Sequence, residues 1–322
     1  MPELPDIEAY IEALKARMLG ERLLGVRLLS PFFLRSVDPP LEAARGARVE
    51  GVERLGKRIV LELSQSGDAD PPDAAGAVDV ADTPGETGAA GAPQNGRYFL
   101  VIHLMIAGRL HWKEPGAKVA KSPSLAAFEF TSGTLVVTEA GKKRRASLRL
   151  MRGREALAEL DQGGLELMSA TPEEFRAALR RENHTLKRAL TDPKILSGIG
   201  NAYSDEILHR AGLSPLKQTR SLGDAELDGL HEAALSVLGE WTDRLREEAR
   251  HAFPEIVSAF RAGMAVHGRF GAPCPVCGTA VRRIVYADNE CDYCPRCQTE
   301  GRILADRSLS RLLKDDWPRT VD

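Results

Sequence analysis

The chain has 322 residues, of which 43% are apolar and 28% are charged, a composition typical of a globular protein with room for more than one domain. No stretch approaches the ~20 apolar residues of a membrane span, and the first residues lack the pattern of a secretion signal, so we expect a cytoplasmic protein that does not contact membranes. The net charge is -2, but residues 65–96 carry six acids and no Lys or Arg; removing those six negative charges leaves +4, which suits a nucleic-acid partner.

The N-terminal half is predicted to form one helix followed by strands. Apolar residues recur at three- and four-residue steps from Leu4 to Met18, which indicates the buried face of a helix that ends at Gly20. Short β-favouring runs follow at residues 22–29, 48–55, 58–63, 98–104, 126–130, 134–138 and 147–151. Several alternate with period two, so they predict a β-sandwich or barrel.

Residues 64–96 separate two of these strands. The segment is rich in Gly, Ala, Pro and Asp and has almost no large apolar side chains. Such a composition does not offset the entropy lost on ordering. We predict a disordered acidic insertion at the surface; an acidic arm that imitates DNA is the alternative.

From residue 171 the pattern becomes helical. Residues 171–174, with sequence TPEE, combine an N-cap threonine, a proline at the first helical position and a glutamate at the third. A second helix is expected to begin after Asn201 and to end at Gly212, and a longer helix carries an apolar stripe from Leu227 to Leu245. These features predict a domain boundary near residues 155–170.

Four cysteines form two pairs near the end of the chain. Cys274 and Cys277 are separated by 16 residues from Cys294 and Cys297, a spacing typical of a four-cysteine zinc ribbon. Four thiolates fill a tetrahedral coordination sphere, so one structural Zn²⁺ is predicted, with a β-hairpin between the pairs. A pair of redox dithiols is the alternative. The fifth cysteine, Cys291, is interpreted as a spare thiol in the hairpin.

Four separated motifs share one order and spacing with a known family. They are PELPDIE at residues 2–8, RLGKR at 54–58, LSGIGNAYSDEIL at 196–208 and the finger that ends in CPRCQ at 294–298. Together the motifs resemble the formamidopyrimidine-DNA glycosylase / endonuclease VIII family over nearly the full length. The resemblance implies an α+β, multidomain fold. Its parts would be a catalytic β-sandwich with an N-terminal helix in residues 1–155, a helix-two-turn-helix DNA-binding domain in 165–265 and a four-cysteine zinc-ribbon hairpin in 270–305.

The resemblance also implies an activity. The chain would be a bifunctional DNA glycosylase and abasic-site lyase of base excision repair, bacterial, nucleoid-associated and monomeric. After removal of Met1, Pro2 would offer a secondary amine with a reference pKa of about 8, which attacks the sugar C1′ and displaces an oxidised base. Glu3 is suited to act as general acid, and Lys57 to stabilise a phosphate or the reacting sugar. The partner would be double-stranded DNA with damaged bases or abasic sites.

Two further elements are predicted to contact DNA. Asn201 follows Gly198-Ile199-Gly200 and precedes a helix, so its side chain and the free amides behind it are predicted to form an anion site. A plain helix cap is the alternative. A basic cluster follows a predicted strand and is expected to contact backbone phosphates, although a solvated turn also fits the pattern. The cluster consists of Lys142, Lys143, Arg144 and Arg145.

The tip of the predicted zinc finger departs from the family pattern. Five residues before Cys294, the third of the predicted zinc ligands, the family carries an arginine that grips phosphate, whereas this chain has Asn289. Asn289 still donates a hydrogen bond, but the positive charge is lost, and Asp288 and Glu290 on either side repel phosphate. The sequence therefore predicts a weaker phosphate contact at the tip.

Two more departures concern the gap left by a flipped base. Met105 and Ile106 stand where the family has glycine and then methionine, so Ile106 is predicted to serve as an apolar wedge, with Met105 as the alternative. Ala146 stands where the oxidised-purine branch has an intercalating phenylalanine. Oxidised purines and oxidised pyrimidines therefore both remain candidate lesions. The alternative function is a non-catalytic or specialised protein that binds damaged DNA and retains the glycosylase fold.

Overall fold

The structure is a computed structural model that describes residues 1–65, 96–141, 143–258, 260–286, 289–305, 312 and 319–321. Nearly all of the predicted acidic insertion, and also Lys142 and Asp288, lie outside these residues. Among the helices that the structure describes, none is long and apolar enough to cross a bilayer.

The N-terminal region is a β-sandwich with one long helix packed against it. The elements are α1 (Leu4–Met18), β1 (Gly25–Leu28), β2 (Arg48–Leu55), β3 (Arg58–Ser64), β4 (Arg97–His103), β5 (Gly108–Lys113), β6 (Ser124–Glu129), β7 (Thr134–Glu139) and β8 (Ser147–Arg152). One antiparallel sheet has the order β2-β3-β4-β8, and the other has the order β1-β6-β7-β5. Apolar residues of both sheets and of α1 form one core. The predicted sandwich and N-terminal helix are confirmed, whereas β5 was not predicted.

The pairing of β3 with β4 places the insertion at the end of a hairpin. Ser64 lies opposite Arg97, and at the other end of the same pair Arg58 lies opposite His103. The chain therefore leaves the sheet at Ser64 and returns to the adjacent position. The sheet is continuous on both sides of the insertion.

A helical region follows, with α2 (Pro172–Arg180), α3 (Leu186–Thr191), α4 (Asn201–Arg210) and α5 (Asp224–His251). The predicted capping box is confirmed, because the Glu174 N–H donates to Thr171 Oγ1 at 3.2 Å and the Thr171 N–H donates to Glu174 Oε2 at 2.9 Å. Helix α5 reaches back to α1, where small side chains let the two helices approach closely. The contact consists of Ala9, Ala13, Leu245 and Ala249.

The last region is a two-stranded ribbon. Strand β9 (Arg282–Tyr286) pairs antiparallel with β10 (Asn289–Tyr293), and the short helix α6 (Pro295–Thr299) follows. This hairpin lies between the two cysteine pairs, as predicted. The ribbon packs on α4.

Candidate active site and zinc centre

The carboxylate of Glu3 lies at the N-terminal end of α4. Glu3 is 2% exposed, and its carboxylate accepts hydrogen bonds from the backbone N–H groups of Gly200 at 2.6 Å, Ala202 at 2.9 Å and Tyr203 at 3.3 Å. These donors belong to the first turn of a helix, where N–H groups have no partner within the helix and the helix dipole favours a negative charge. Glu3 therefore joins the start of the sandwich to the start of α4.

Two glycines make this close approach feasible. At Gly200 an added Cβ would lie 2.5 Å from the carboxyl carbon of Glu3. Gly198 has a φ of +84°, and its carbonyl accepts the Leu4 N–H at 2.9 Å. The Gly-Ile-Gly sequence before α4 thus provides the space for the N-terminal segment.

The predicted anion site at this helix is corrected by these contacts. The amides of Gly200, Ala202 and Tyr203 are not free, because they already hold the carboxylate of Glu3. The N-cap position is occupied by Gly200, and Asn201 is the first residue of α4. Asn201 is half-buried and lines the cleft described below.

A second carboxylate holds the backbone of Glu3. The Glu3 N–H donates to Asp6 Oδ2 at 2.9 Å, and Arg261 Nη2 donates to Asp6 Oδ1 at 2.7 Å. Asp6 occupies the third position of α1, from which a side chain reaches back to the N-cap amide. The side chains of Asp6 and Arg261 are 3% and 16% exposed. Neither residue was predicted from the sequence, although a carboxylate three positions after Glu3 is the signal that marks such a cap.

A cleft of about 660 Å³ opens beside this segment, and Met1, Lys57, Lys187 and Asn201 are among its lining residues. Met1 is half-buried and Pro2 is buried beneath it. Burial lowers the pKa of the N-terminal amine of Met1, an effect that the charge of Glu3 opposes and that of Arg109 supports. The environment at the start of the chain therefore favours an unprotonated amine.

Lys57 and His103 form one wall of a smaller adjoining hollow that Met1 also lines. Burial lowers the pKa of Lys57, and the charge of Glu3 opposes the shift. Burial and the cations Arg58 and Lys57 lower the pKa of His103 to about 4, so its imidazole is neutral at pH 7. His103 was not predicted as a site residue, because its position opposite Arg58, next to Lys57, follows from the register of β3 and β4 in the structure.

The loop between β4 and β5 turns sharply below this wall. The Gly108 N–H donates to the Leu104 carbonyl at 2.9 Å, Met105 has a φ of +52°, and the Ile106 side chain is 59% exposed. A positive φ strains a residue that has a side chain. A glycine, which the family has at this position, would adopt a positive φ freely. The predicted wedge residue Ile106 thus stands at the tip of a strained turn.

The basic cluster lies on an exposed turn. Lys143, Arg144 and Arg145 are exposed. The turn is held from below by Glu139, whose carboxylate accepts the backbone N–H groups of Arg145 and Ala146, both at 3.0 Å. These three side chains are therefore displayed to solvent on a fixed backbone.

The four predicted zinc ligands lie together. Their sulfur atoms are all within 4.8 Å of one another, with Cys277 Sγ 3.4 Å from Cys294 Sγ and Cys274 Sγ 3.8 Å from Cys297 Sγ. Four close thiols that belong to two C-x-x-C pairs fit one tetrahedral structural Zn²⁺. In the part of the chain that the structure describes, Cys291 does not join this cluster.

Two acidic residues of α4 attach the ribbon. The Glu206 carboxylate accepts the backbone N–H groups of Ala265 at 2.7 Å and of Val266 and His267, both at 2.9 Å. Asp205 Oδ2 lies 2.8 Å from His267 Nδ1, and Asp205 Oδ1 accepts from Lys187 Nζ at 2.5 Å. Burial alone would raise the pKa of Asp205, but the charges of Lys187 and His267 together hold it below its usual value.

The finger tip is partly described. Asn289 lies opposite Tyr286 in the ribbon. The Glu290 carboxylate binds Arg283 Nη1 at 2.6 Å, so the repulsion of phosphate predicted for Glu290 is reduced by a cation at its side.

Known proteins resemble each region of the chain. Three family models match this chain. They are the formamidopyrimidine-DNA glycosylase N-terminal domain at residues 1–147, the formamidopyrimidine-DNA glycosylase H2TH domain at residues 166–245, and the zinc finger found in FPG and IleRS at residues 271–299. A formamidopyrimidine-DNA glycosylase of Thermus thermophilus is 31% identical over 306 residues, which cover 94% of this chain and 100% of that protein. An uncharacterised formamidopyrimidine-DNA glycosylase-like protein of Mycobacterium tuberculosis is 43% identical over 151 residues, 47% of this chain and 94% of that protein.

Solved structures show the same fold. The Lactococcus lactis Fpg protein in complex with abasic-site DNA has a TM-score of 0.72 at 20% identity and covers 92% of this chain and 99% of that chain. A complex between a mutant of that protein and DNA that contains Fapy-dG gives a TM-score of 0.73 at 20% identity and covers 92% of this chain and 100% of that chain. The likeness therefore extends over sandwich, helices and ribbon.

Proposed function

Because the chain belongs to the formamidopyrimidine-DNA glycosylase family, we propose that it is a bifunctional DNA glycosylase and abasic-site lyase of base excision repair. One observation carries the proposal. The N-terminal segment is held at the edge of a cleft by Glu3, and the start of the chain shares that cleft with Lys57 and Asn201. A terminal amine, a carboxylate and a lysine at one place are the groups that Schiff-base chemistry on a sugar requires.

The proposed reaction begins after Met1 is removed. The lone pair of the Pro2 nitrogen attacks C1′ of the damaged nucleotide, and the bond from C1′ to the base breaks. Its electron pair leaves with the base, which takes up a proton. Glu3 supplies or relays protons to the sugar oxygen or the base. The Pro2 nitrogen then loses its proton, and the bond between C1′ and the ring oxygen O4′ breaks as O4′ takes up a proton, which opens the sugar and leaves an iminium ion between Pro2 and C1′. This ion is positively charged without a further proton, because Pro2 is a secondary amine.

The iminium ion then acts as an electron sink. Loss of a proton from C2′ forms a carbon-carbon double bond, and the C3′–O bond breaks with the 3′ phosphate as leaving group. A second elimination would release the 5′ phosphate. Lys57 lines the cleft, and Lys57 and neutral His103 both line the adjoining hollow with Met1. An ammonium group at Lys57 would stabilise phosphate charge there.

The proposed partner is double-stranded DNA that contains damaged bases or abasic sites. Structures of the Lactococcus lactis Fpg protein are complexes with such DNA. In this chain the exposed Lys143, Arg144 and Arg145 would contact backbone phosphates, and Ile106 would fill the gap left by the flipped nucleotide. The residues of the proposed site all belong to one chain, so we propose that it acts as a monomer.

The second candidate function is a non-catalytic protein that binds damaged DNA. Asn289 at the finger tip favours it, because an uncharged side chain stands where the family carries a phosphate-gripping arginine. Both candidates keep the zinc ribbon, so the metal does not separate them.

Borohydride trapping separates the two functions. The protein with Pro2 at its N-terminus, checked by intact mass, is mixed with an abasic-site duplex and reduced. The proposal expects a covalent protein–DNA adduct, since borohydride reduces an iminium ion to a stable amine. The matched control retains Met1 under an N-terminal tag and should give no adduct.

Two variants extend this test. Pro2→Gly and Glu3→Gln should each slow base release on duplexes with single defined lesions. Absence of an adduct with the processed protein, or unchanged nicking by both variants, would rule out the enzyme. The same panel of lesions would identify the natural substrate.

A further inference from the structure

Arg261 connects the segment after α5 to the start of the chain. Its guanidinium donates to Asp6 Oδ1 at 2.7 Å, and Asp6 Oδ2 accepts the Glu3 N–H at 2.9 Å. This gives a continuous path of two hydrogen bonds from Arg261 to the residue that follows Pro2. Neither Arg261 nor Asp6 is among the lining residues of the two hollows that contain Met1.

The path fixes a peptide plane. The Glu3 N–H belongs to the same planar unit as the Pro2 carbonyl, so the hydrogen bond to Asp6 sets the orientation of the Pro2–Glu3 peptide. The carboxylate of Glu3 is fixed independently by the first turn of α4. Glu3 is therefore held by both its backbone and its side chain, and the proline before it has little freedom to rotate.

Arg261 is the counter-charge that this arrangement needs. Asp6 is 2% exposed, and a buried carboxylate without a cation is strongly unfavourable. Without Arg261 the Asp6 side chain would turn towards water and release the Glu3 amide. A planar guanidinium also restricts the carboxylate more than an ammonium does.

The segment that carries Arg261 is itself anchored. Val257 is 3% exposed and belongs to the sandwich core, and Arg244 Nη1 on α5 donates to the Ala262 carbonyl at 3.2 Å. The Met264 N–H donates to the Arg261 carbonyl at 3.3 Å. Arg261 therefore approaches Asp6 from a backbone held on both sides.

We propose that Arg261 is a positioning residue for the N-terminal nucleophile, acting through Asp6 on the Pro2–Glu3 peptide. The inference rests on the proposed function, because it concerns the delivery of the Pro2 nitrogen to C1′. Under this inference, the segment between α5 and the ribbon takes part in the chemistry although it does not itself contact DNA. The expected effect is on the rate of iminium formation and not on affinity for DNA.

The test compares three variants with the wild-type protein. Arg261→Met removes the charge at similar length, and Arg261→Lys restores the charge without the planar group. Arg246→Met is the matched control, because Arg246 also joins α1 from the helical region, at 2.6 Å from Glu8 Oε2, but has no contact with Asp6. For each protein we measure the single-turnover rate of borohydride trapping on an abasic-site duplex, and the Kd for a duplex with an unreactive tetrahydrofuran analogue.

Arg261→Met should slow trapping by about 100-fold, the effect typical of an ångström-scale misplacement, while its Kd stays within about threefold. Arg261→Lys should recover at least a tenth of the wild-type rate, and Arg246→Met should stay within about threefold of it.

Trapping by Arg261→Met at the wild-type rate would overturn the inference, and so would a loss of affinity equal to the loss of rate. Should Arg261→Met not fold, Arg261→Lys decides: a rate below about a tenth of the wild-type rate overturns the assigned role of charge. If the wild-type protein itself gives no adduct, the proposed function fails, and not only this inference.

Discussion

The junction between the sandwich and α4 and the junction between α4 and the ribbon are built in the same way. In each, one buried glutamate accepts three backbone N–H groups from a different element, Glu3 from the start of α4 and Glu206 from residues 265–267. The two differ in their surroundings. Glu3 follows the proposed nucleophile at the edge of a cleft, whereas Glu206 faces the segment that leads to the zinc ligands. The same kind of contact therefore fixes the segment that carries the proposed nucleophile at the N-terminal end of α4, and the segment that leads to the zinc ligands near the middle of α4.

The largest effect should come from closing the space at the Glu3 junction. In Gly200→Ala the new Cβ would lie 2.5 Å from the Glu3 carboxyl carbon, so Glu3 must leave the α4 amides. We expect a loss of trapping rate of at least about 100-fold, with zinc content unchanged because the ribbon junction is intact. Single-turnover kinetics and metal analysis measure the two quantities.

Gly229→Ala is the matched control for that variant. Gly229 lies on the exposed side of α5, where an added Cβ meets no atom within 4 Å, and alanine in a helix is more stable than glycine by roughly 0.5–1 kcal/mol. Activity should therefore be retained and the melting temperature should rise slightly. Equal activity of Gly200→Ala and Gly229→Ala would contradict the account of the Glu3 junction.

A smaller effect is expected at the ribbon junction. In Glu206→Gln an amide NH₂ replaces one of the two oxygens that accept backbone N–H groups, which leaves a buried donor unsatisfied at a cost of about 2 kcal/mol. We expect faster loss of zinc to a chelator and a lower melting temperature, with the single-turnover rate at saturating DNA nearly unchanged. Glu232→Gln, on the exposed face of α5, is the control. A large fall in the chemical rate would show that the two junctions are not separate.

The smallest effect concerns the free energy of unfolding at low pH, through a histidine of the sandwich. Burial and the neighbouring Arg58 and Lys57 lower the pKa of His103 from its ordinary value of 6.5 to about 4. The folded state therefore binds this proton less readily than the unfolded state, and stability present above pH 6.5 is lost as the pH falls towards 4. His103→Gln should reduce this acid-dependent loss by on the order of 1 kcal/mol after allowance for solvent screening.

Urea unfolding at pH 7 and at pH 4.5 measures that difference. His251→Gln is the control, because the side chain of His251 is 78% exposed on α5. If the two variants show the same pH dependence, the burial of His103 has no energetic consequence.

Local signals in the sequence predicted most of the fold. The helix at the start of the chain, seven of the eight sandwich strands, the capping box at Thr171 and the four zinc ligands follow from periodicity, turn residues and cysteine spacing. Strand β5 was missed because its first residues continue the turn at Leu104–Gly108, so that no break separates loop from strand.

Contacts between distant parts of the chain could not be predicted. Glu3 and Gly200 are 197 positions apart, and the glycines before α4 fit a phosphate loop as well as they fit a carboxylate of the same chain. Arg261 and Asp6 are 255 positions apart, and neither residue type nor spacing connects them. Local patterns fix elements, whereas the partner of a helix N-terminus depends on which elements meet in three dimensions.

The adjacency of Ser64 and Arg97 has a practical consequence. Because these residues are neighbours across one hairpin, exchanging the intervening sequence for a tight turn would leave both strands in register. A fluorescent reporter grafted at the same place would be carried on the end of β3 and β4, and both of its termini would enter the protein side by side. A label at this position would report on the protein without any change to its N-terminus.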